Sequence, residues 1–410
     1  MRCDITSTPM GTTRDTAELK RRINDVIDAL ADDLVAVSRD IHAHPEQNYE
    51  EHHAAELLAR VATAHGLDSD KGAYGAETAV AAEVGSGPLV CVMSEYDALP
   101  DIGHGCGHNV IAAAGLGAAL ALAAVARDAG GRLRWLGTPA EEGGGGKILM
   151  ARNGALADVE LAMMVHSADA DLTQIDAIAL QQLVVDYEGA EAHAAAAPHM
   201  GRNALDAAVL GYMAVAALRQ HIRPSERVHG IFTKAGEKPN IVPREASSEW
   251  YVRSDTISSL NELKPRVLSA LLAGADACGC TAHHRWVGDA YADLVTNNPA
   301  AALYAANAAT LGRNVRDPRI GGHRVVGSTD MGNVSHLVPT IHPMIASARP
   351  GSVIHTAEFA AQSASATADR AVVDGAKAMA MTALDFWTDE QVRRAVRDDF
   401  ERSAPDPAVL

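Results

Sequence analysis

A chain of 410 residues is longer than one hydrophobic core normally serves, so two domains are expected. Hydrophobic residues make up 48%, which excludes a disordered chain, and a formal net charge of −17 opposes binding to nucleic acid or anionic lipid. The most apolar stretch, residues 110–126, is mostly alanine and glycine and falls short of the roughly 20 residues that span a bilayer, so it reads as a buried helix. Residues 1–15 are polar and lack the apolar segment of a secretory leader, and the five cysteines are irregularly spaced. The expectation is a cytoplasmic protein without a disulfide framework.

Along the chain, Ile23, Val26, Ile27, Leu30, Leu34, Val37 and Ile41 recur at helical spacing and predict a helix over 16–43, ending before Pro45. A second helix is predicted over 50–65, stopped by Gly66, followed by strands at 78–84 and 89–94. A small-residue helix at 109–129 leads to a strand at 132–137, a glycine run, a short helix at 147–153 and a strand at 161–166. This alternation predicts an α/β fold with a mainly parallel sheet and helices on both faces. From 179 the order changes to strand (179–188), helix (204–221), strand (228–233), strand (246–254), helix (259–278) and strand (281–287). That is the β-α-β-β-α-β order of a ferredoxin-like α/β module. The predicted architecture is a catalytic domain of residues 1–178 and 296–410, interrupted by a smaller domain at 179–295.

Three features carry chemistry. Cys106 and His108 stand two residues apart among glycines, just before a predicted helix, where a thiolate and an imidazole can converge on one metal ion. Glu141 and Glu142 follow a predicted strand, at the sheet edge where ligand crevices form. Adjacent side chains diverge, so the two carboxylates are expected to play different roles; the plainer alternative is an acidic pair at a helix start. His166 ends a predicted strand and His355 lies in a loop, and either could be an ordinary satisfied histidine. The run Gly143-Gly144-Gly145-Gly146-Lys147 lacks the spacing and the Ser or Thr of a phosphate-binding loop.

Taken together, these segments resemble the dinuclear-metal aminoacylase and carboxypeptidase family of the MH clan. The similarity is greatest to its branch of p-aminobenzoyl-glutamate hydrolase, indole-3-acetyl-amino acid hydrolases and aminoacylase-like dipeptidases. The matching stretches are Ser94-Glu95-Tyr96-Asp97-Ala98-Leu99-Pro100, residues 103–109, 139–146, 164–166, 192–205, 240–253, 327–330 and 349–355, in the family's order. Ser167 and Gly105 depart from the family's usual proline and alanine.

The resemblance implies two divalent metal ions, zinc or manganese, held by Cys106, His108, Glu142, His166 and His355. It implies Glu141 as general base, Asp97 as an orienting residue behind the ligands, and a lid domain that also forms a homodimer. On that lid, His193 would polarise the scissile carbonyl, from its own or the partner subunit, while Asn240 and Arg253 would hold a substrate carboxylate. The implied activity is hydrolysis of an N-acyl or N-aroyl amino acid or an unusual dipeptide. Hydrolytic deamination of an aromatic amine at the same centre, or a catalytically silent homologue, remain the alternatives. His104, His199, His323, His336 and His342 are left without a role, most of them as surface or capping histidines, with substrate contact an alternative for His323 and His336, which flank residues 328–330.

Overall fold

The computed structural model describes residues 15–320, 326–403, 405–406 and 409–410. The periodic segment at 16–43 forms two helices, Thr16–Ala29 and Ala31–Ala43, joined at Leu30. Leu19, Ile23, Ile27, Leu34, Val37 and Ile41 are all buried, so one apolar stripe serves both helices and hides the joint from a periodicity reading. Both pack on His108–Ala129, a helix of 22 residues. By length and composition it could cross a membrane, but 89% of its most apolar window is buried, the behaviour of a core helix. Gly115 allows it to sit low on the sheet: a Cβ there would stand 2.6 Å from the carbonyl oxygen of Met93.

The six-stranded sheet has the order Asp70–Lys71, Val80–Gly85, Arg132–Thr138, Leu89–Glu95, Val159–Met163, Thr340–Ile341. Its first two pairings are antiparallel and the other three parallel, so the sheet is mixed and mainly parallel. Every residue of Leu89–Glu95 is buried, as in a strand covered on both faces. Because that strand and its two neighbours run the same way, their carboxyl ends release three loops at one edge. The predicted strand at 161–166 proves to be two pieces. Val159–Met163 belongs to the large sheet, while His166–Ala168 pairs in parallel with Met344–Ala346, so His166 opens a short separate ribbon.

A second, separate sheet has four antiparallel strands in the order Thr281–Tyr291, Ala179–Glu188, Glu245–Ser254, Arg227–Lys234. With helices Ala204–Leu218 and Ile257–Cys278 it follows the predicted β-α-β-β-α-β order. Alternate residues of Ala179–Glu188 point inward, and Leu183, Val185, Tyr187, Trp250, Val252, Leu263 and Val267 share a core of their own. The chain then returns to the first sheet through Asn298–Thr310 and closes against its central helix with Ala366–Thr388.

Candidate metal centre

The loop after Leu89–Glu95 carries Asp97 and, after a turn, Cys106 and His108. Gly107 makes the turn possible: its φ is +75°, and a Cβ would lie 2.2 Å from Ser167 Oγ. His108 is the first residue of the central helix. Its Nδ1 donates to Asp97, with 2.7 Å to the main-chain oxygen and 3.1 Å to Oδ1. Both partners are acceptors, so Nδ1 carries the hydrogen and Nε2 faces the site. The other carboxylate oxygen of Asp97 accepts from the Glu142 N–H at 2.8 Å, so one residue aligns the imidazole and the carboxylate strap together.

The strap follows Arg132–Thr138. Ala140 sits at φ +57°, a costly conformation for a residue with a Cβ, and its N–H donates to Glu51 Oε1 at 2.8 Å. From there Glu142 reaches to 3.8 Å from His108 Nε2 and 3.6 Å from His355 Nε2, and Glu141 to 4.0 Å from His108 Nε2. His355, at φ +63°, is held by its N–H donating to Gly105 O at 2.8 Å. A Cβ on Gly105 would press on Ile102 Cγ2 at 2.7 Å, which accounts for glycine where the family often has alanine. His166 donates from Nδ1 to Ser167 O at 2.7 Å, leaving Nε2 at 3.5 Å from Cys106 Sγ. Ser167 itself shares a short hydrogen bond with Ser347.

The five predicted ligands are thus brought together. Cys106 with His108 and His166, Cys106 with Glu142 and His355, and His108 with Glu141 and Glu142 each keep their donor atoms within 4.8 Å of one another. The chemistry suits divalent ions. His108 Nε2, Glu142 Oε1 and Glu95 Oε1 are buried with no hydrogen-bond partner among the described residues, an expensive state unless a cation satisfies them. Separations of 3.5 and 3.6 Å between donors match the edges of a coordination shell with bonds of about 2.0–2.3 Å.

Charge in the site is strongly unbalanced. Burial, reinforced by Glu95 and Glu142, raises Glu141 well above the usual carboxyl range. Burial likewise takes Glu142 to about 7 and pushes the Cys106 thiol up. Burial lowers His166 to about 4, leaving it neutral and ligand-ready, whereas at His108 the charges of Glu95 and Asp97 overcome burial and raise it.

Several residues that the sequence did not single out complete the centre. Lys147, buried, bonds Glu95 Oε2 at 2.7 Å and Asp330 Oδ1 at 2.8 Å, and its N–H donates to Asp330 Oδ2 at 2.9 Å. Burial pushes the Glu95 carboxyl up, but Lys147, His108 and His166 together outweigh it and hold that carboxyl at about 2. Tyr291, on the last strand of the second sheet, donates to Glu141 O at 2.7 Å and accepts from Gly145 N–H at 2.9 Å. The signal for Lys147 was available: an ammonium at the start of an apolar helix needs a buried counter-charge.

Other predicted residues lie elsewhere. His193 is exposed, and its Nδ1 accepts only from the N–H groups of Ala195 and Ala196; Asn240 is exposed beside it, its carbonyl accepting from Ala194 N–H at 3.0 Å. Neither joins the donor cluster within one chain. Arg253 is half-buried in the second sheet, stacked on Tyr251 and 3.4 Å from Ser328 Oγ. A cleft lined by Glu142 and Gly144 on one side and Gln182, Tyr251 and Asp289 on the other connects the two sheets. The surface assignment of spare histidines is corrected. His104, His336 and His342 are buried, with His104 against Ile41 O, His336 against Asp293 O, and the His342 ring 5.3 Å from that of His166. His199 is exposed and His323 lies outside the described residues.

Comparison with known proteins identifies the family and agrees with the fold. Xaa-Arg dipeptidase of Mus musculus is 37% identical over 409 residues, covering 96% of this chain and 94% of the relative. One of the p-aminobenzoyl-glutamate hydrolase polypeptides of Escherichia coli K12 is 27% identical, covering 94% and 95%. Among solved structures, the aminobenzoyl-glutamate utilization protein of Klebsiella pneumoniae superposes with a TM-score of 0.72 at 20% identity, over 89% of this chain and 98% of that one. A dinuclear metal-binding M20 peptidase of Bacillus subtilis gives 0.66 at 17% identity, over 87% and 98%. The profile of one family matches residues 91–385, from the central strand through the donor loops and the second sheet to the last core helix, and the chain is a metal-dependent hydrolase belonging to peptidase family M20/M25/M40.

Proposed function

We propose that this hydrolase cleaves the amide bond of a dipeptide or of an N-acyl or N-aroyl amino acid, with Cys106, His108, Glu142, His166 and His355 holding two divalent ions and Glu141 as general base. The observation that carries the reading is the convergence of these donors around buried atoms, His108 Nε2 and Glu142 Oε1, that lack a hydrogen-bond partner among the described residues. When bound, the ions polarise the scissile carbonyl and activate water. Glu141 takes the water proton and passes it to the leaving amine; its raised proton affinity suits a group that must do both near neutral pH. The Cys106 thiolate favours zinc, while the imidazoles and carboxylate also accept manganese.

Relatives named Xaa-Arg dipeptidase and p-aminobenzoyl-glutamate hydrolase support a substrate ending in an amino acid with a free carboxylate. Arg253 supplies the bidentate fork for that carboxylate, with Asn240 assisting. The overall charge of −17 favours a basic leaving residue, so dipeptides ending in arginine or lysine head the test panel. A homodimer through the second sheet accounts for the exposed His193, which would then serve the partner's centre. Leu210 and Met213 are exposed on helix Ala204–Leu218, as are Ile231 and Phe232 on the edge strand Arg227–Lys234, and a second copy would cover them.

The test pairs metal content with amine release on purified protein. Glu141→Gln is expected to keep both ions and lose about 10²–10⁴-fold in turnover. Near-normal turnover would sink the base assignment, and a wild-type protein that takes up no metal would sink the ligand set.

A further inference from the structure

We infer that Glu95 is a sixth protein ligand of the centre, contributing Oε1 to the ion held by His108. The inference rests on the two-metal reading above and adds a residue to it. Glu95 is the last residue of the central strand and is fully buried. Its two oxygens have different surroundings. Oε2 is fixed by Lys147 Nζ at 2.7 Å, whereas Oε1 has no hydrogen-bond partner among the described residues. Oε1 stands 3.3 Å from His108 Nε2 and 3.9 Å from His166 Nε2, and Nε2 of His108 likewise has no hydrogen-bond partner among the described residues.

A role limited to balancing Lys147 accounts for Oε2 alone. Asp330 already gives Lys147 one carboxylate, through Nζ at 2.8 Å and through the main-chain N–H at 2.9 Å. A second buried carboxylate exceeds what one ammonium needs, and its outward oxygen would be left desolvated. A cation between Oε1 and His108 Nε2 satisfies both atoms. Their 3.3 Å separation is the edge expected between an oxygen and a nitrogen that each lie about 2.0–2.2 Å from one ion. One carboxylate oxygen of Glu95 also groups with those of Glu141 and Asp330 within 4.8 Å, so the Glu95 carboxylate lies beside the proposed base. Lys147 and Asp330 then hold the ligand's aim, as outer partners do for metal-binding histidines.

Glu95→Gln tests this by metal titration and by the visible absorption of the cobalt-loaded protein. One of the two ions should bind at least ~10-fold more weakly, the smaller loss seen when even an outer partner is removed. The cobalt bands should shift in position or intensity. Where the variant does not fold, an anomalous-difference map of the zinc-loaded wild type decides: Glu95 Oε1 should lie about 2.0–2.2 Å from a peak. Two ions bound with unchanged affinity and cobalt spectrum, or an Oε1 more than about 3 Å from either peak, would overturn Glu95 as a ligand while leaving the two-metal reading intact. A wild type that binds no metal would overturn both.

Discussion

Removing the hydroxyl of Tyr291 isolates the link between the second sheet and Glu141, the proposed base. In Tyr291→Phe the buried strap loses a donor to Glu141 O and an acceptor for Gly145 N–H, bonds of 2.7 and 2.9 Å. At about 0.5–1.5 kcal/mol net for each bond, the strap gives up about 1–3 kcal/mol of restraint. The bonded carbonyl belongs to Glu141, so the peptide that relaxes is the one carrying the carboxylate. With each 1.4 kcal/mol worth tenfold in rate, kcat should fall about 5–150-fold. KM and metal content should stay near wild type, because no donor atom is touched. Steady-state kinetics under saturating metal, with metal analysis and a melting curve, read all three. A kcat within twofold of wild type alongside a lowered Tm would refute the reasoning, since the hydroxyl would then serve stability alone.

Lys147→Met leaves Glu95 and Asp330 as buried carboxylates without their cation and should cost about 3–5 kcal/mol, seen as a lower melting temperature, with partial recovery in Lys147→Met/Asp330→Asn. Glu51, buried beside the strap, is raised by burial from 4.5 to about 7. As pH rises through that window the unfolded chain gives up a proton that the folded chain keeps, so Glu51 lowers stability by up to about 3 kcal/mol. Glu51→Gln should therefore gain Tm over wild type between pH 5 and 8, and a difference independent of pH would count against the shifted carboxyl. Arg253→Ala should raise KM about 10–100-fold for a substrate with a free carboxylate, and Arg253→Lys should restore little of it. An unchanged KM would mean the carboxylate is held elsewhere.

Much of this was legible in the sequence because it is written locally. Apolar spacing located the strands and helices, and the change of order at 179 marked the second sheet. Cys106-Gly107-His108 and Glu141-Glu142 were readable as short groups on the loops that leave parallel strands. The Leu30 joint was not legible, because one apolar stripe runs through it. Nor was the Glu95–Lys147–Asp330 network, whose members stand 52 and 183 residues from Lys147 and meet only after the sheet forms. Tyr291 was hidden for a related reason. Its strand alternates like any other, and only the packing of one sheet against the other shows where its hydroxyl ends.

The positions of the donors also set the tempo of metal exchange. His355 is 49% exposed at its side chain, whereas those of His108, Glu142 and His166 are 0%, 9% and 8% exposed. An ion held by these donors would meet its thinnest wall at His355, so two bound ions would be shed at unequal rates. A chelator would strip the outer ion first and leave a half-loaded protein with its interior ion still in place. Scarcity of metal would therefore dim the enzyme in stages, with the inner ion acting as a lasting part of the fold and the outer one as a replaceable charge.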